Sequence, residues 1–317
     1  MENKKKITIS QSAASVITAF VGVVILMIVF SFMNPNFIKP DSIMTLLRSI
    51  VPYLLVGIGQ AYVCITGNID LSIGSVLGMS AMISATMMCK GFNPIVAILV
   101  AFVCCMAVGL INGVLVGKFK LPPFIATLGT MTIARGIAQL ANNNYNTDNI
   151  GSAGAAQMFK DTLYYGKTLG VFNGVWIALL VWAIFFYILS FTRSGRHIYA
   201  IGSNVDAARL SGVNVFTATT KAYMVSSFCA FLTGLVTLAQ SGMGDMSAGM
   251  SYEMYAVAAA VIGGVSTLGG SGLLVGVIAG AAVWAILQSG LTFAKVPVAY
   301  RNIVIGILVV ACVLFDV

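Results

Sequence analysis

Apolar residues run along this chain in long blocks, separated by short polar or glycine-rich stretches. The blocks near 14–33, 43–66, 71–89, 94–117, 123–141, 172–191, 219–240, 252–264, 272–294 and 299–316 approach the length of a membrane-crossing helix, ~20 residues. They are too long for barrel strands, which need only about 9–11 alternating residues. The pattern predicts an all-α polytopic membrane protein, one domain over 1–317, with about ten transmembrane helices. The first block follows Lys4, Lys5 and Lys6, as a signal peptide would, but it is longer than a typical apolar signal core. No small-residue cleavage site follows it, so a retained helix is expected after a short N-terminus, 1–13. The eighth block is short and leads into Gly263, Gly264, Gly269 and Gly270. Glycine at that density weakens a regular helix, so a broken or re-entrant element is expected there, and a similar one near 67–75.

Two connections are long. The stretch 142–170 is rich in Asn, Gly and Tyr, and 192–218 is compact and basic. Basic residues orient the helices. With the N-terminus inside, Lys4, Lys5, Lys6, Lys118, Lys120, Arg193, Arg196, Arg209 and Lys221 fall on the inner side. Lys39, Lys90, Lys160, Lys167 and Lys295 fall outside. This asymmetry predicts both termini in the cytoplasm, 142–170 outside and 192–218 inside.

Composition narrows the function. Hydrophobic residues make up 59% of the chain and charged ones 8%, against about 25% charged in soluble domains. A soluble enzyme, a disordered chain and a nucleic-acid binder are excluded. The net charge of +8 therefore reads as helix orientation, with the lipid bilayer as the chain's medium. The cysteines at 64, 89, 104, 105, 229 and 312 form no CxxC pair, and all but Cys89 lie in apolar runs. They read as small packing residues. His197 is the lone histidine, in a basic loop, so no metal site is expected.

Catalytic motifs are missing. Gly166, Lys167 and Thr168 mimic the end of a P-loop, but Asp161 stands where its first glycine is required. No HExxH or GxSxG occurs, so no catalytic or cofactor-binding residues are assigned. Acids inside the bilayer are scarce. Asp70, Asp245 and Glu253 lie near helix ends, and no mid-helix acid suits ion coupling. A transporter with no ion relay of its own takes energy from a partner. The alternative, an ion-coupled secondary transporter of a small polar solute, requires such an acid.

The inner connection carries local signals for a short helix. Asn204 suits an N-cap, Asp206 the positive first turn and Gly212 a C-terminal stop. Asp206-Ala207-Ala208 followed by Gly212 resembles the Glu-Ala-Ala…Gly loop of ABC importer permeases. Asn68-Ile69-Asp70-Leu71-Ser72-Ile73-Gly74-Ser75 is similar to a Gly-Ile-Asp-Leu-Ser-x-Gly-Ser block. Leu121–Gly129, Ile133–Gly136, and Tyr252-Glu253 followed by Val261–Ser266 and Gly269-Gly270 resemble further blocks in the expected order. The resemblance is to the ribose/xylose/galactose-type permeases of bacterial sugar ABC importers and covers roughly 15–316. Asn68 replaces a common glycine, Asp206 the usual glutamate, and Tyr255 stands where aspartate is frequent.

The resemblance implies a type II ABC importer-like fold in a bacterial inner membrane. It implies a homodimer, a cytoplasmic ATPase subunit that binds ATP and Mg, and an extracytoplasmic sugar-binding protein. A simple, ribose-type sugar would be the cargo, and this chain would hold no cofactor. Val205, Asp206, Ala207, Ala208, Arg209, Leu210, Ser211 and Gly212 would form the ATPase-coupling helix, its small alanines allowing close approach. Asp70, Ser72, Thr127, Arg135, Glu253, Gly263, Gly264 and Ser266 are pathway or gate candidates. For Asp70, Ser72 and Glu253 helix capping competes with that role, and for the glycines close packing does. Arg135 either snorkels to the outer surface or meets an interior partner.

Overall fold

The computed structural model describes residues 11–297, 299–301, 303, 304, 306, 307, 310 and 314. Among the described residues, seven helices are long and apolar enough to cross a membrane: α1 Gln11–Met33 (apolar from Ala14), α2 Pro40–Ile65, α4 Pro94–Gly117, α5 Pro123–Ala141, α7 Asn173–Phe191, α10 Val215–Ser241 and α12 Leu274–Phe293. Two shorter apolar helices join them, α3 Ile73–Cys89 and α11 Tyr252–Ile262. Half of the block at 299–316 lies outside the described residues, and its described positions are helical. The chain is an all-α polytopic membrane protein. Proline at the first turn starts α2, α4 and α5, where its missing N–H is harmless.

α2, α3, α4 and α10 build the core. α10 meets α4 through Gly109 and Gly113, where an added Cβ would strike Ser227 at 2.7 Å and Thr220 at 2.6 Å. α1 packs on α12 at the rim and exposes Ile17, Val21 and Ile25, a surface suited to lipid.

Both expected breaks are present. α11 has 11 residues, about 16 Å of rise. Tyr252 stacks on Tyr53, midway along α2, with ring centroids 5.9 Å apart. Ala259 lies against Gly57, so α11 descends beside α2 from mid-depth. Before it, 242–251 runs without helix from Gly242, beside Lys160, down to Gly249, beside Gly74. α3 begins at that same depth.

The polar connections carry more structure than expected. The stretch 142–172 contains α6 Gly154–Lys160, a π turn Asp161–Tyr165 and a hairpin, β1 Lys167–Thr168 with β2 Val171–Phe172. Arg48 of α2 pins it: its guanidinium lies 4.3 Å from the ring centroids of both Tyr164 and Phe172. On the opposite face, two helices occupy the stretch expected to hold one, α8 Arg193–Ser203 and α9 Val205–Leu210. This connection ends at 214, not 218, because Asn214 accepts from Thr217 N at 3.0 Å and starts α10 earlier. Tyr199 of α8 donates to Gly272 O at 2.6 Å; burial raises its phenol pKa, which keeps it a donor.

Candidate functional site

The broken elements meet. The first turns of α3 and α11 converge where Gly74 faces Gly249 and Glu253; a Cβ on Gly74 would lie 2.6 Å from Glu253 Oε2. Only glycine lets the backbones approach so closely. Beside this junction is a recess of about 340 Å³, lined by Ser75, Thr132, Arg135, Gln139, Ser251 and Glu253, with Met131, Gly136 and Met250. It therefore combines one cation, one carboxylate, an amide and three hydroxyls at mid-depth.

Arg135 does not snorkel. Its Nη1 donates to Met246 O at 3.1 Å and Ala248 O at 2.7 Å. The guanidinium clamps the non-helical segment 242–251, whose carbonyls have no helix to satisfy them. Glu253 lies in the first turn of α11, where a carboxylate complements the helix dipole.

The other pathway candidates lie elsewhere. Asp70 is fully buried, and its Oδ1 accepts from Ser72 N at 2.9 Å and Ser72 Oγ at 2.6 Å. Neither lines the recess. Thr127 is buried and donates back to Pro123 O within α5. Gly263 abuts Gly276, and Gly264, at φ 81°, abuts Ser15. Gly269 abuts Gly67, and Gly270 N donates to Ile65 O at 2.9 Å. These glycines serve close packing, Gly263 on α12, Gly264 on α1, and Gly269 and Gly270 beside α8, and none lines the recess. Ser266 Oγ accepts from Leu268 N in the same turn. Tyr255 packs on Trp284, centroids 5.0 Å apart.

On the α8–α9 face the local signals held. Asn204 Oδ1 accepts from Ala207 N at 2.9 Å, and Gly212 adopts φ 82°. The helix proper stops at Leu210, with Ser211 and Gly212 in the closing turn. Arg209 pairs with Asp206 at 3.3 Å. The two alanines part company: Ala207 is exposed, whereas Ala208 is buried against Ile201 and Ala218 of its own chain. Leu210 is 90% exposed and Val205 41%. A recess of about 1060 Å³ runs from α9 to the end of α4, with Lys118, Lys120 and Arg209 in its lining.

Some residues escaped sequence reasoning. Ser226, Asn112 and Gln139 are polar side chains in long apolar helices, and that isolation is the signal that would have found them. Among the described residues, no group of three His, Cys, Asp or Glu is placed to hold a metal.

Residues 42–313 match the family described as branched-chain amino acid transport system / permease component. The chain belongs to this permease family. It is 35% identical to the ribose import permease protein of Bacillus subtilis over 94% of this chain and 91% of that one. The ribose import permease protein of Escherichia coli K12 is 33% identical over 94% and 92%. The D-allose transport system permease protein of the same strain is 33% identical over 92% and 88%. No solved structure matches. Membership makes the chain a transport subunit and gives the mid-depth recess and the exposed α9 a common context.

Proposed function

We propose that this chain is the permease of an ATP-driven importer in the bacterial plasma membrane. It works as a homodimer with both termini cytoplasmic. Its cargo is a ribose-type monosaccharide, delivered by an extracytoplasmic sugar-binding protein. A separate cytoplasmic ATPase binds ATP and Mg.

The observation that carries this reading is α9. It presents Leu210 and Val205 outward at the polar α8–α9 face. Exposed leucine there is unfavourable until a partner groove covers it. Asn204 and Gly212 fix the ends of the helix, and Ala208 seats it on α8 and α10. A push on α9 thus reaches the membrane helices instead of dissipating in a loop. ATP-driven closure of the ATPase supplies the push, and the recess opens to alternate sides.

The recess supports the homodimer. Its polar groups Thr132, Arg135 and Gln139 share a flank of α5 with Gly129 and Gly136, and apart from the local backbone of α5 nothing lies within 4 Å of a Cβ built on either glycine. Charged groups facing hydrocarbon are costly, and a second copy on this small-residue flank would enclose them. A neutral sugar with many hydroxyls suits such a lining, since cargo must also leave. The ribose and D-allose permeases among the relatives support the sugar class.

The test is reconstitution of permease, ATPase and binding protein in liposomes. Labelled ribose should enter only with ATP on the ATPase side. Uptake driven by a proton or sodium gradient without ATP would overturn the assignment.

A further inference from the structure

Five buried side chains outside the recess form one continuous hydrogen-bonded chain. Ser226 Oγ of α10 donates to Asp70 Oδ2 at 2.6 Å, and Ser72 Oγ donates to Asp70 Oδ1 at 2.6 Å. Asn112 Nδ2 of α4 donates to Ser72 Oγ at 3.0 Å, and Thr130 Oγ1 of α5 donates to Asn112 Oδ1 at 2.7 Å. All five residues are buried, four of them with no exposed surface. Among the described residues the one ion pair is Arg209 with Asp206, so Asp70 has no cationic partner.

With Asp70 ionised, the direction of this chain is imposed. A carboxylate only accepts, whereas hydroxyls can turn either way. Both serines must therefore point their hydrogens at Asp70. Ser72 then has only a lone pair for Asn112, which presents its amide and leaves its carbonyl for Thr130. One acid orders four polar groups on four segments.

α10, α4 and α3 pack as one body, with Gly234 of α10 seated against Leu77 and Ser80 of α3, and α5 joins that body mainly through α3. α10 follows α9 directly and is locked to α4 by the Gly109 and Gly113 contacts. α5, which bears Arg135 and Thr132, packs chiefly on α3 and only lightly on α4. The Asn112–Thr130 bond joins α4 to α5, and Asp70 with Ser72 joins α10 to the start of α3.

We infer that the Asp70-centred chain of Ser226, Ser72, Asn112 and Thr130 is a positioning clasp that makes α5 follow α10 and α3, so that displacement of α9 reshapes the recess. The inference rests on the proposed coupling role of α9. Asp70 acts through its neighbours and does not touch cargo.

The test uses the complete reconstituted importer and reads ATP hydrolysed per sugar imported. Thr130→Val and Ser226→Ala each remove one hydroxyl with little change in volume. Both should raise ATP per sugar by about fivefold or more, with binding-protein-stimulated hydrolysis kept within about twofold of wild type. A merely structural role lowers the amount of working protein and leaves that ratio unchanged. Leu210→Glu is the control: it should abolish stimulated hydrolysis and uptake together. If it does, and both hydroxyl variants keep the wild-type ratio, the clasp is wrong while the coupling role of α9 stands. If Leu210→Glu couples normally, the coupling role fails and the clasp falls with it.

Discussion

Replacing Arg135 with Met keeps most of the side chain's length and removes its donors. Two carbonyls, of Met246 and Ala248, lose a charged partner at 3.1 and 2.7 Å. A hydrogen bond from a charged donor contributes about 1.5–3 kcal/mol. The recess admits water, which re-solvates part of what is freed, so the lower end applies, roughly 3 kcal/mol for the pair. That loss falls on segment 242–251, which has no helical ladder of its own. Hydrogen exchange reads it directly. Gly244 N donates to Thr147 Oγ1 at 2.8 Å and Met246 N to Asn146 Oδ1 at 2.9 Å, so both amides are protected while the segment is docked. At about 1.4 kcal/mol per decade, their exchange should quicken roughly 100-fold in Arg135→Met. Arg135→Lys, able to keep one of the two bonds, should give about tenfold. Exchange unchanged in both variants would refute the clamp and leave the Gly249–Gly74 contact as what docks the segment.

Other expectations follow from the same geometry. Arg48→Met removes the cation between Tyr164 and Phe172 and should loosen 154–172 by about 1–2 kcal/mol; limited proteolysis should then cut there faster, and an unchanged rate counts against the pin. Gly280→Val drives a side chain into Ala259 O where α11 crosses α12, so monodisperse protein should be lost on extraction, while Gly136→Ala, with open space around its Cβ, should extract normally. Gly212→Val forces a β-branched residue to φ 82° and Ala207→Trp enlarges the exposed side of α9; both should insert normally yet lose uptake and stimulated ATP hydrolysis, and full retention of both activities would detach α9 from coupling. A cysteine at Asn146 should react with an impermeant thiol reagent in cells whose envelope admits it, and one at Ser203 only after permeabilisation; the reverse inverts the topology.

How much was legible in advance depended on the range of each interaction. Long apolar blocks gave the spanning helices because burial in lipid demands little else of sequence. The breaks were visible at Gly263–Gly270 and near Gly67, because glycine weakens a helix wherever the chain goes next. Asn204 and Gly212 were readable because a cap acts over three residues. Contacts across the chain were not. Arg135 finds its carbonyls 111 and 113 positions away, and nothing local marks which backbone will lack partners. Ala208 looked equivalent to Ala207, yet one helical step turns it toward Ile201 and Ala218. Asp70 read as a helix-end acid, and its own side chain does bond Ser72 N; its reach to Ser226, 156 residues on, needed the fold. The hairpin at 167–172 was hidden by its shortness.

The proposed route is the recess between Arg135 and Glu253, filled with water and closed by a second copy. Thr132 is exposed on the α5 flank and lines that recess, so a cysteine placed there, in a background lacking the six native ones, tests it directly. Thr132→Cys should react with a charged, water-soluble thiol reagent, be protected by ribose during turnover, and cross-link two copies into a covalent dimer. Reaction only with a lipid-soluble reagent, with no covalent dimer, would place this flank against hydrocarbon and exclude both the aqueous route and the dimer contact.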